Sequence, residues 1–426
     1  MKIKSYSIKR LFGTFSYNFL FEEMGDVIVL TGPNGYGKTT SLRILHELTR
    51  RNWYFFYQLV FDDIVVEFDN DHILTIKSEL HKSDSDSVTK DVALTESKTV
   101  SFSWATKDGL IGSFVLTESK MFLVEMQWKE KVRFMNPTRR VKIEEFLLAN
   151  PSTYDSIFGK DEKYNKFCLY LQQMSVLFVS SNRLMEIESK VVEDADAIEG
   201  VAASLAGKMG LYQQAYFQQL SKSRNSMIET LLAHPKAISE ADYNSQRERL
   251  LPRVQNLYDW GLVDFKDIKE FNSADAIVLT VYMSELLSTL SVYNELYDKL
   301  LVFSESLDRK QFTNKIIRPR PHKGIDVRLI DNKELNLTSL SSGEQNEIIL
   351  LYKLIFETQR GSLVLIDEPE MSLHLAWLRG MLNEYKTFAK FTNSQYLIAT
   401  HSAAFIGGQW NITYDLFEND MEDQHE

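Results

Sequence analysis

One short segment near the N-terminus constrains the possible fold of this chain more than any other. The residues GPNGYGKT, Gly32 to Thr39, follow the apolar run VIVLT and precede a segment with helical spacing. This is the pattern G-x-x-x-x-G-K-[ST] in a strand-loop-helix context. Glycines let backbone N–H groups curl around phosphates, and a helix N-terminus presents its positive end to them. The segment therefore predicts an α/β fold that holds a nucleoside triphosphate.

Two side chains in this loop have specific predicted roles. Lys38 would supply an ammonium to the β and γ phosphate oxygens, and the hydroxyl of Thr39 would ligate Mg²⁺. The alternative is a chance match or a degenerate site, which the flanking strand and helix patterns disfavour. The predicted cofactors are ATP and Mg²⁺, and the predicted phosphate contacts are Gly32, Pro33, Asn34, Gly35, Tyr36, Gly37, Lys38, Thr39 and Thr40.

A second motif is LVLIDE, in which four apolar residues lead into two carboxylates. A strand of this kind would deliver Asp367 to the magnesium ion and Glu368 to the attacking water. Many ordinary strands end in acidic loops, so the motif alone is weak evidence for a magnesium site. It becomes strong evidence because the chain also contains the phosphate loop. We interpret the nearby Glu370 as a solvated loop acid.

A third motif, LSSGEQ, lies between the other two and directly before a helical pattern. Serine hydroxyls and N–H groups at a helix start suit a γ-phosphate. An ordinary helix cap is the simpler alternative, because Ser-x-x-Glu is good capping chemistry. The position of the motif favours the phosphate role for Ser341, Ser342, Gly343 and Glu344.

Together these residues resemble the ABC-type ATPases. LSSGEQ resembles their signature motif, LVLIDE their Walker B motif, and Thr400-His401-Ser402 their switch histidine. In that family two heads share each nucleotide. The resemblance therefore implies a head-to-head dimer or larger homo-oligomer, in which Lys38 and Glu368 face Ser341 and Gly343 of another copy. It also implies that His401 contacts the γ-phosphate.

The resemblance extends less completely to two other family motifs. The D-loop should lie at Met371 to His374, where histidine replaces the usual aspartate. The Q-loop glutamine is either Gln58 or Gln127, and each could instead be a sheet-surface residue.

The long interval between the phosphate loop and LSSGEQ departs from the pattern of transporter ATPases. It resembles the RecF, SMC and OLD branch, in which helical segments interrupt the head. Only a short segment follows His401, so we expect no nuclease domain there. The layout is similar to stand-alone ATPases of antiphage systems such as Septu and PARIS, which implies a separately encoded effector, in our interpretation a nuclease. The alternative is a DNA-repair or DNA-end-sensing ATPase, and a scaffold without turnover is disfavoured by Glu368.

Hydrophobic periodicity predicts three parts of the chain. Residues 1–190 form the first part of the head with an antiparallel layer, 191–315 an inserted helical arm, and 316–426 the rest of the head. Within the first part, strands are predicted for YFFYQLVF, DIVVEF, HILTIKSE, TVSFSWAT, GSFVLT and MFLVEMQW.

Composition bears on partners and location. With 48 basic and 59 acidic residues the net charge is −11, so contact with DNA would need a local basic patch. The candidate residues are Lys129, Lys131, Arg133, Arg139, Arg140 and Lys142, with Arg318 and Arg320 adjoining. A solvated face is the simpler interpretation of these residues. A single cysteine, the lack of a long apolar run and an N-terminus without a secretory signal pattern predict a cytoplasmic protein that does not span a membrane.

Overall fold

The computed structural model describes residues 1–82, 96–132, 142–150, 152–181, 197–233, 236–310, 312–371, 373 and 375–422. The chain forms two compact units. The first combines Met1–Ser181 with Glu357–Glu426, and the second is Asn182–Phe356.

The strands and helices of the described residues follow one another in a mixed order. The strands are β1 (Ile3–Leu11), β2 (Phe15–Leu20), β3 (Val27–Thr31), β4 (Asp63–Phe68), β5 (Ile73–Lys82), β6 (Glu96–Thr106), β7 (Gly109–Leu116), β8 (Val176–Val179), β9 (Lys315–Arg320), β10 (Gly324–Leu329), β11 (Glu334–Leu335), β12 (Leu363–Asp367), β13 (Gln395–Ala399) and β14 (Thr413–Asp415). The α-helices are α1 (Phe21–Met24), α2 (Lys38–Thr49), α3 (Trp53–Gln58), α4 (Glu118–Val132), α5 (Ile143–Ala149), α6 (Ser152–Phe158), α7 (Glu162–Leu171), α8 (Ala197–Leu232), α9 (Glu240–Asp259), α10 (Ala276–Ser291), α11 (Asn294–Arg309), α12 (Ser342–Tyr352), α13 (Leu375–Leu378), α14 (Met381–Thr392), α15 (Ala403–Ile406) and α16 (Leu416–Glu422).

The first unit contains two sheets. One is antiparallel with the order β2-β1-β4-β5-β6-β7, and the other is parallel with the order β14-β3-β13-β12-β8. Every residue of β3, β12 and β13 is buried, which explains their continuous apolar sequences. Because these three strands are adjacent and parallel, the polar residues that follow each of them meet at one edge of the sheet.

The second unit contains α8 to α12 and a three-stranded antiparallel sheet of order β11-β10-β9. The facing residues Ile317 and Val327 are buried. The strands and α12 contact α8 and α11, so the compact unit extends to Phe356. The predicted division instead assigned 316–426 as a whole to the head, and it stays a prediction about domains.

The predicted α/β fold with an antiparallel layer is confirmed, and residues 197–233 and 240–309 are largely helical as expected. Two strand predictions are wrong, because YFFYQLVF begins as α3 and MFLVEMQW lies in α4. In α3 the side chain of Asn52 caps the helix by accepting a hydrogen bond from the Phe55 amide. In α4 the buried residues Met121 and Val124 are three positions apart, as one face of a helix requires.

No single helix in the described part of the chain combines the length and apolar character needed to cross a membrane. One bent pair, Ser273–Ser291 with Asn294–Arg309 at 69°, meets the length and composition criteria only jointly.

Candidate nucleotide-binding site

In the loop between β3 and α2, the backbone lies close to a side chain of the hydrophobic core. Gly37 has φ +85°, and a Cβ at this position would lie 2.6 Å from Leu11 Cδ2. Glycine is therefore needed for both the left-handed conformation and the space. Among the described residues no side chain caps α2, so its first N–H groups remain available to a ligand.

Lys38 is held inside this loop. Its ammonium donates hydrogen bonds to the backbone oxygens of Gly32, at 2.7 Å, and Pro33, at 2.8 Å. The residue is only 6% exposed. Burial lowers the pKa of Lys38, while the carboxylates of Glu368 and Asp367 oppose that effect. An ammonium held by two carbonyls in this way can transfer those hydrogen bonds to phosphate oxygens.

The predicted magnesium ligands, Thr39 and Asp367, are in direct contact. The hydroxyl of Thr39 lies 3.0 Å from Asp367 Oδ1 and 3.1 Å from Oδ2. Burial, with smaller contributions from Glu368 and Glu370, raises the pKa of Asp367 to about 6, against the lowering effect of the Thr39 hydrogen bond. A hydroxyl and a carboxylate at the end of a strand form a donor set suited to Mg²⁺.

The negative charge of the side chains around this site also suits the binding of a divalent cation. Four carboxylates, those of Glu368, Asp367, Asp415 and Glu370, raise the pKa of Lys38 against the effect of burial. Glu370 Oε2 is buried and accepts no hydrogen bond from a described residue. Within the described ranges, no group of three or more His, Cys, Asp and Glu side chains is arranged to hold a metal. Mg²⁺ commonly keeps several waters and binds through one or two carboxylates together with substrate phosphates.

The raised pKa of Asp367 predicts a pH-dependent change in stability. The carboxyl titrates near 3.8 when unfolded and near 6 when folded, so the ionised carboxylate lowers stability increasingly as pH rises from about 4 to about 6, and fully above that. In chelator-treated, nucleotide-free protein at pH 7.5 we expect Asp367→Asn to raise the free energy of unfolding by up to about 3 kcal/mol. Urea titrations at pH 7.5 and pH 4 measure the difference. A variant no more stable than the parent at pH 7.5 would contradict the assigned environment.

Glu368 and His401 lie beside each other at this sheet edge. Glu368 Oε1 is 3.9 Å from His401 Nε2, and the two side chains are 36% and 38% exposed. Glu368 has φ +47°, an unusual conformation for a residue with a Cβ. Its amide donates to the backbone oxygen of Ala399 at 2.9 Å. The strained residue is thus fixed to the end of β13 with its carboxylate accessible.

The interpretation of Glu370 as a solvated loop acid is wrong. Its Oε1 accepts hydrogen bonds from the Thr400 hydroxyl at 2.7 Å and from the His401 amide at 2.8 Å. These contacts join residues far apart in sequence, so local pattern gave no signal for them. The apolar strand before Thr400 and the polar Glu-Pro-Glu segment were the only available hints.

The LSSGEQ segment lies in the second unit, where it starts α12. Ser341 is the N-cap, and it exchanges hydrogen bonds with Glu344 in a capping box. Lys315 Nζ contacts Glu344 Oε1 at 2.6 Å. Burial favours a raised pKa for Glu344, but the Lys315 and Ser341 hydrogen bonds hold the pKa below its usual value. Ser341 and Ser342 are exposed, so the cap leaves this helix start accessible, and the phosphate role stays a prediction.

The remaining phosphate-loop residues divide by exposure. Pro33, Asn34, Gly35 and Thr39 are exposed, and Thr40 is half-buried. Tyr36 packs instead, because its ring lies 4.9 Å from that of Phe15 and 5.7 Å from that of Phe417.

Phe12 lies beside this loop and is 45% exposed. Its neighbour Arg10 forms an ion pair with Asp62 at 3.5 Å.

The Q-loop candidates lie on helices. Gln58 ends α3 in an exposed position, and Gln127 lies in α4 and hydrogen-bonds Ser156. Neither is a sheet-surface residue, because both elements are helical. In the predicted D-loop, Met371 is 47% exposed, whereas Ser372 and His374 lie outside the described residues.

The predicted basic patch is described only in part. Arg133, Arg139 and Arg140 lie outside the described residues. Lys129 approaches Glu125 one helical turn away at 4.0 Å, and the Lys131 ammonium lies 5.5 Å from the centre of the Phe146 ring. Contact with DNA stays a prediction.

One comparison with known proteins identifies a family for the chain. A family model described as an AAA ATPase domain, AAA_15, matches residues 1–406. No curated protein matches. An Smc head domain with an extended coiled coil from Pyrococcus furiosus, bound to the C-terminal domain of ScpA, is 14% identical, with 95% of this chain and 90% of that chain covered and a TM-score of 0.35. The SMC head domain from Thermotoga maritima is 10% identical, with 95% and 91% covered and a TM-score of 0.32. Because the family model spans nearly all of its length, the chain belongs to the AAA_15 family of AAA ATPase domains.

Proposed function

We propose that this protein binds ATP with Mg²⁺ and hydrolyses it, and that nucleotide binding joins two copies. The observation that carries the proposal is the meeting of Lys38, Thr39, Asp367 and Glu368 at one sheet edge. These groups come from opposite ends of the sequence, and they are the types that phosphoryl transfer to water requires.

Each side chain has a distinct part in the proposed reaction. Lys38 and the free N–H groups of α2 bind the phosphates, while Glu368 orients a water and takes its proton. His401 contacts the γ-phosphate. Bound Mg²⁺, held through Thr39 and Asp367, would neutralise charge on the phosphate oxygens.

In the proposed dimer, Ser341 and Gly343 of one copy complete the phosphate site of the other. The exposure of Ser341 at the start of α12 supports this arrangement, because an accessible helix start provides N–H groups and a hydroxyl for an anion. Closing and opening of the dimer would then transmit the nucleotide state to a partner.

We further propose that the partner is a separately encoded effector, in the first instance a nuclease, and that the pair acts in antiphage defence. The resemblance in sequence layout supports this role by analogy. Direct contact with DNA is the alternative. Binding of DNA by the isolated protein that strengthens as the salt concentration is lowered would favour this alternative. A nuclease that is encoded next to this protein, and that the protein activates only in the presence of ATP, would favour the defence role.

The first experiment measures ATP binding and phosphate release by the purified chain. We expect Mg²⁺-dependent turnover, and we expect Lys38→Ala to weaken ATP binding by about 10- to 100-fold, because a charge-assisted contact with phosphate is lost. The matched control is Lys160→Ala, which removes an exposed lysine from a turn of the same unit and should bind ATP as the parent does. Equal binding by both variants would exclude the assigned site.

A further inference from the structure

The side chain of Glu370 links two loops at the edge of the parallel sheet. Its Oε1 accepts from the hydroxyl of Thr400 and from the amide of His401. The same Thr400 hydroxyl accepts a hydrogen bond from the Ser402 amide at 3.0 Å. One carboxylate oxygen therefore organises the turn that follows β13.

The other oxygen of this carboxylate is unusual. Glu370 Oε2 is buried and has no hydrogen-bond partner among the described residues. A buried charged acceptor without a hydrogen bond destabilises the folded state. A group that carries such a cost in a native structure calls for a reason other than folding stability.

Backbone hydrogen bonds also join these loops. The Glu368 amide donates to Ala399 O at 2.9 Å, and the Thr400 amide donates to Leu30 O at 3.0 Å. These backbone bonds already fix the ends of β12, β13 and β3 relative to one another. What Glu370 adds is a defined direction for the backbone of His401.

That direction matters because the imidazole of His401 lies at an accessible sheet edge. The His401 side chain is 38% exposed, and its Nε2 lies 3.9 Å from Glu368 Oε1. Resting on the proposed function, we propose that Glu370 is a positioning residue for ATP hydrolysis, which orients the backbone of His401 so that its imidazole lies beside Glu368 at the γ-phosphate. Catalytic groups misplaced by about 1 Å can lose about 100-fold in rate.

The test is a double-mutant cycle on steady-state ATP hydrolysis with the full chain. We expect Glu370→Ala to lower kcat by about 10- to 100-fold with a change in KM below about threefold, since it disturbs orientation and not phosphate binding. His401→Ala should have a similar effect. The double variant should be no slower than the slower single variant, because Glu370 acts through His401.

Two conservative variants complete the design. Glu370→Gln keeps a carbonyl oxygen for the two donors, so its kcat should stay within about threefold of the parent. Glu370→Asp is shorter by one methylene, should fail to reach both donors, and replaces the alanine variant if that variant does not fold.

The outcomes separate this inference from the function on which it rests. Penalties that multiply in the double variant, or a Glu370→Gln variant as slow as Glu370→Ala, would overturn the positioning role in an active enzyme. Absence of turnover in the parent protein would overturn the proposed function, and the positioning role with it.

Discussion

Replacement of Glu368 by glutamine is expected to slow ATP turnover by about 100- to 10,000-fold while leaving ATP binding intact. The carboxylate directly follows Asp367 and lies at the accessible edge of the sheet, 36% exposed. Glutamine keeps the shape and one acceptor oxygen but cannot take a proton from water. Phosphate release measures the rate, and equilibrium binding of labelled ATP measures the affinity.

The same variant should reveal the proposed dimer. If nucleotide joins two copies and hydrolysis separates them, Glu368→Gln should accumulate as a dimer during size-exclusion chromatography with ATP and Mg²⁺. Glu162→Gln is the matched control, because Glu162 begins α7 with a side chain 81% exposed. Unchanged kcat in Glu368→Gln would remove this residue as the base.

The phosphate loop and the two strands that end near it were predictable because each is encoded locally. Strands buried on both faces give continuous apolar runs, and the polar residues that follow mark the sheet edge. The prediction that Thr39 and Asp367 share one site required only that β3 and β12 lie in the same parallel sheet. Their contact at 3.0 Å is consistent with it.

The failures have physical causes that also lie in particular residues. Exposed apolar side chains in α4, among them Phe122, Leu123 and Met126, imitate a strand, so the spacing of Met121 and Val124 was obscured. In α3, adjacent aromatic residues imitate a strand. The residue that caps this helix, Asn52, lies before the segment YFFYQLVF, for which a strand was predicted. Glu370 could not be assigned because its partners lie 30 and 31 residues away.

LSSGEQ illustrates a different limit. Helix capping by this motif is the simpler alternative to phosphate binding, and the capping box is present. The two roles are compatible, because capping engages the Ser341 hydroxyl and leaves the residue at an accessible helix start. Whether Ser341 completes the phosphate site of another copy can therefore be tested with two variants, one changed at Lys38 and the other at Ser341.

Mixing two inactive variants is expected to restore ATP hydrolysis. Lys38→Ala removes the ammonium group that would bind the phosphates. Ser341→Asp places a carboxylate where the γ-phosphate bound to another copy would lie. Aspartate caps helices about as well as serine, but it cannot donate the hydrogen bond that Ser341 Oγ gives to Glu344 Oε2, so the helical content of this variant is compared with that of the parent. In a mixed dimer one site carries both changes, but the other combines an intact Lys38 with an intact Ser341.

At equal concentrations, recovery should reach up to about one quarter of the parent rate if copies exchange at random and the two sites act independently. Ser339→Asp, which adds the same charge at an exposed position just before the motif, should keep the parent rate when tested alone. Absence of recovery at every mixing ratio, with both variants folded and exchange verified by labelled chains, would mean that Lys38 and Ser341 do not act across a dimer. A fully active Ser341→Asp variant would instead remove the serine from the phosphate site, since a carboxylate against a γ-phosphate is strongly repulsive in a closed interface.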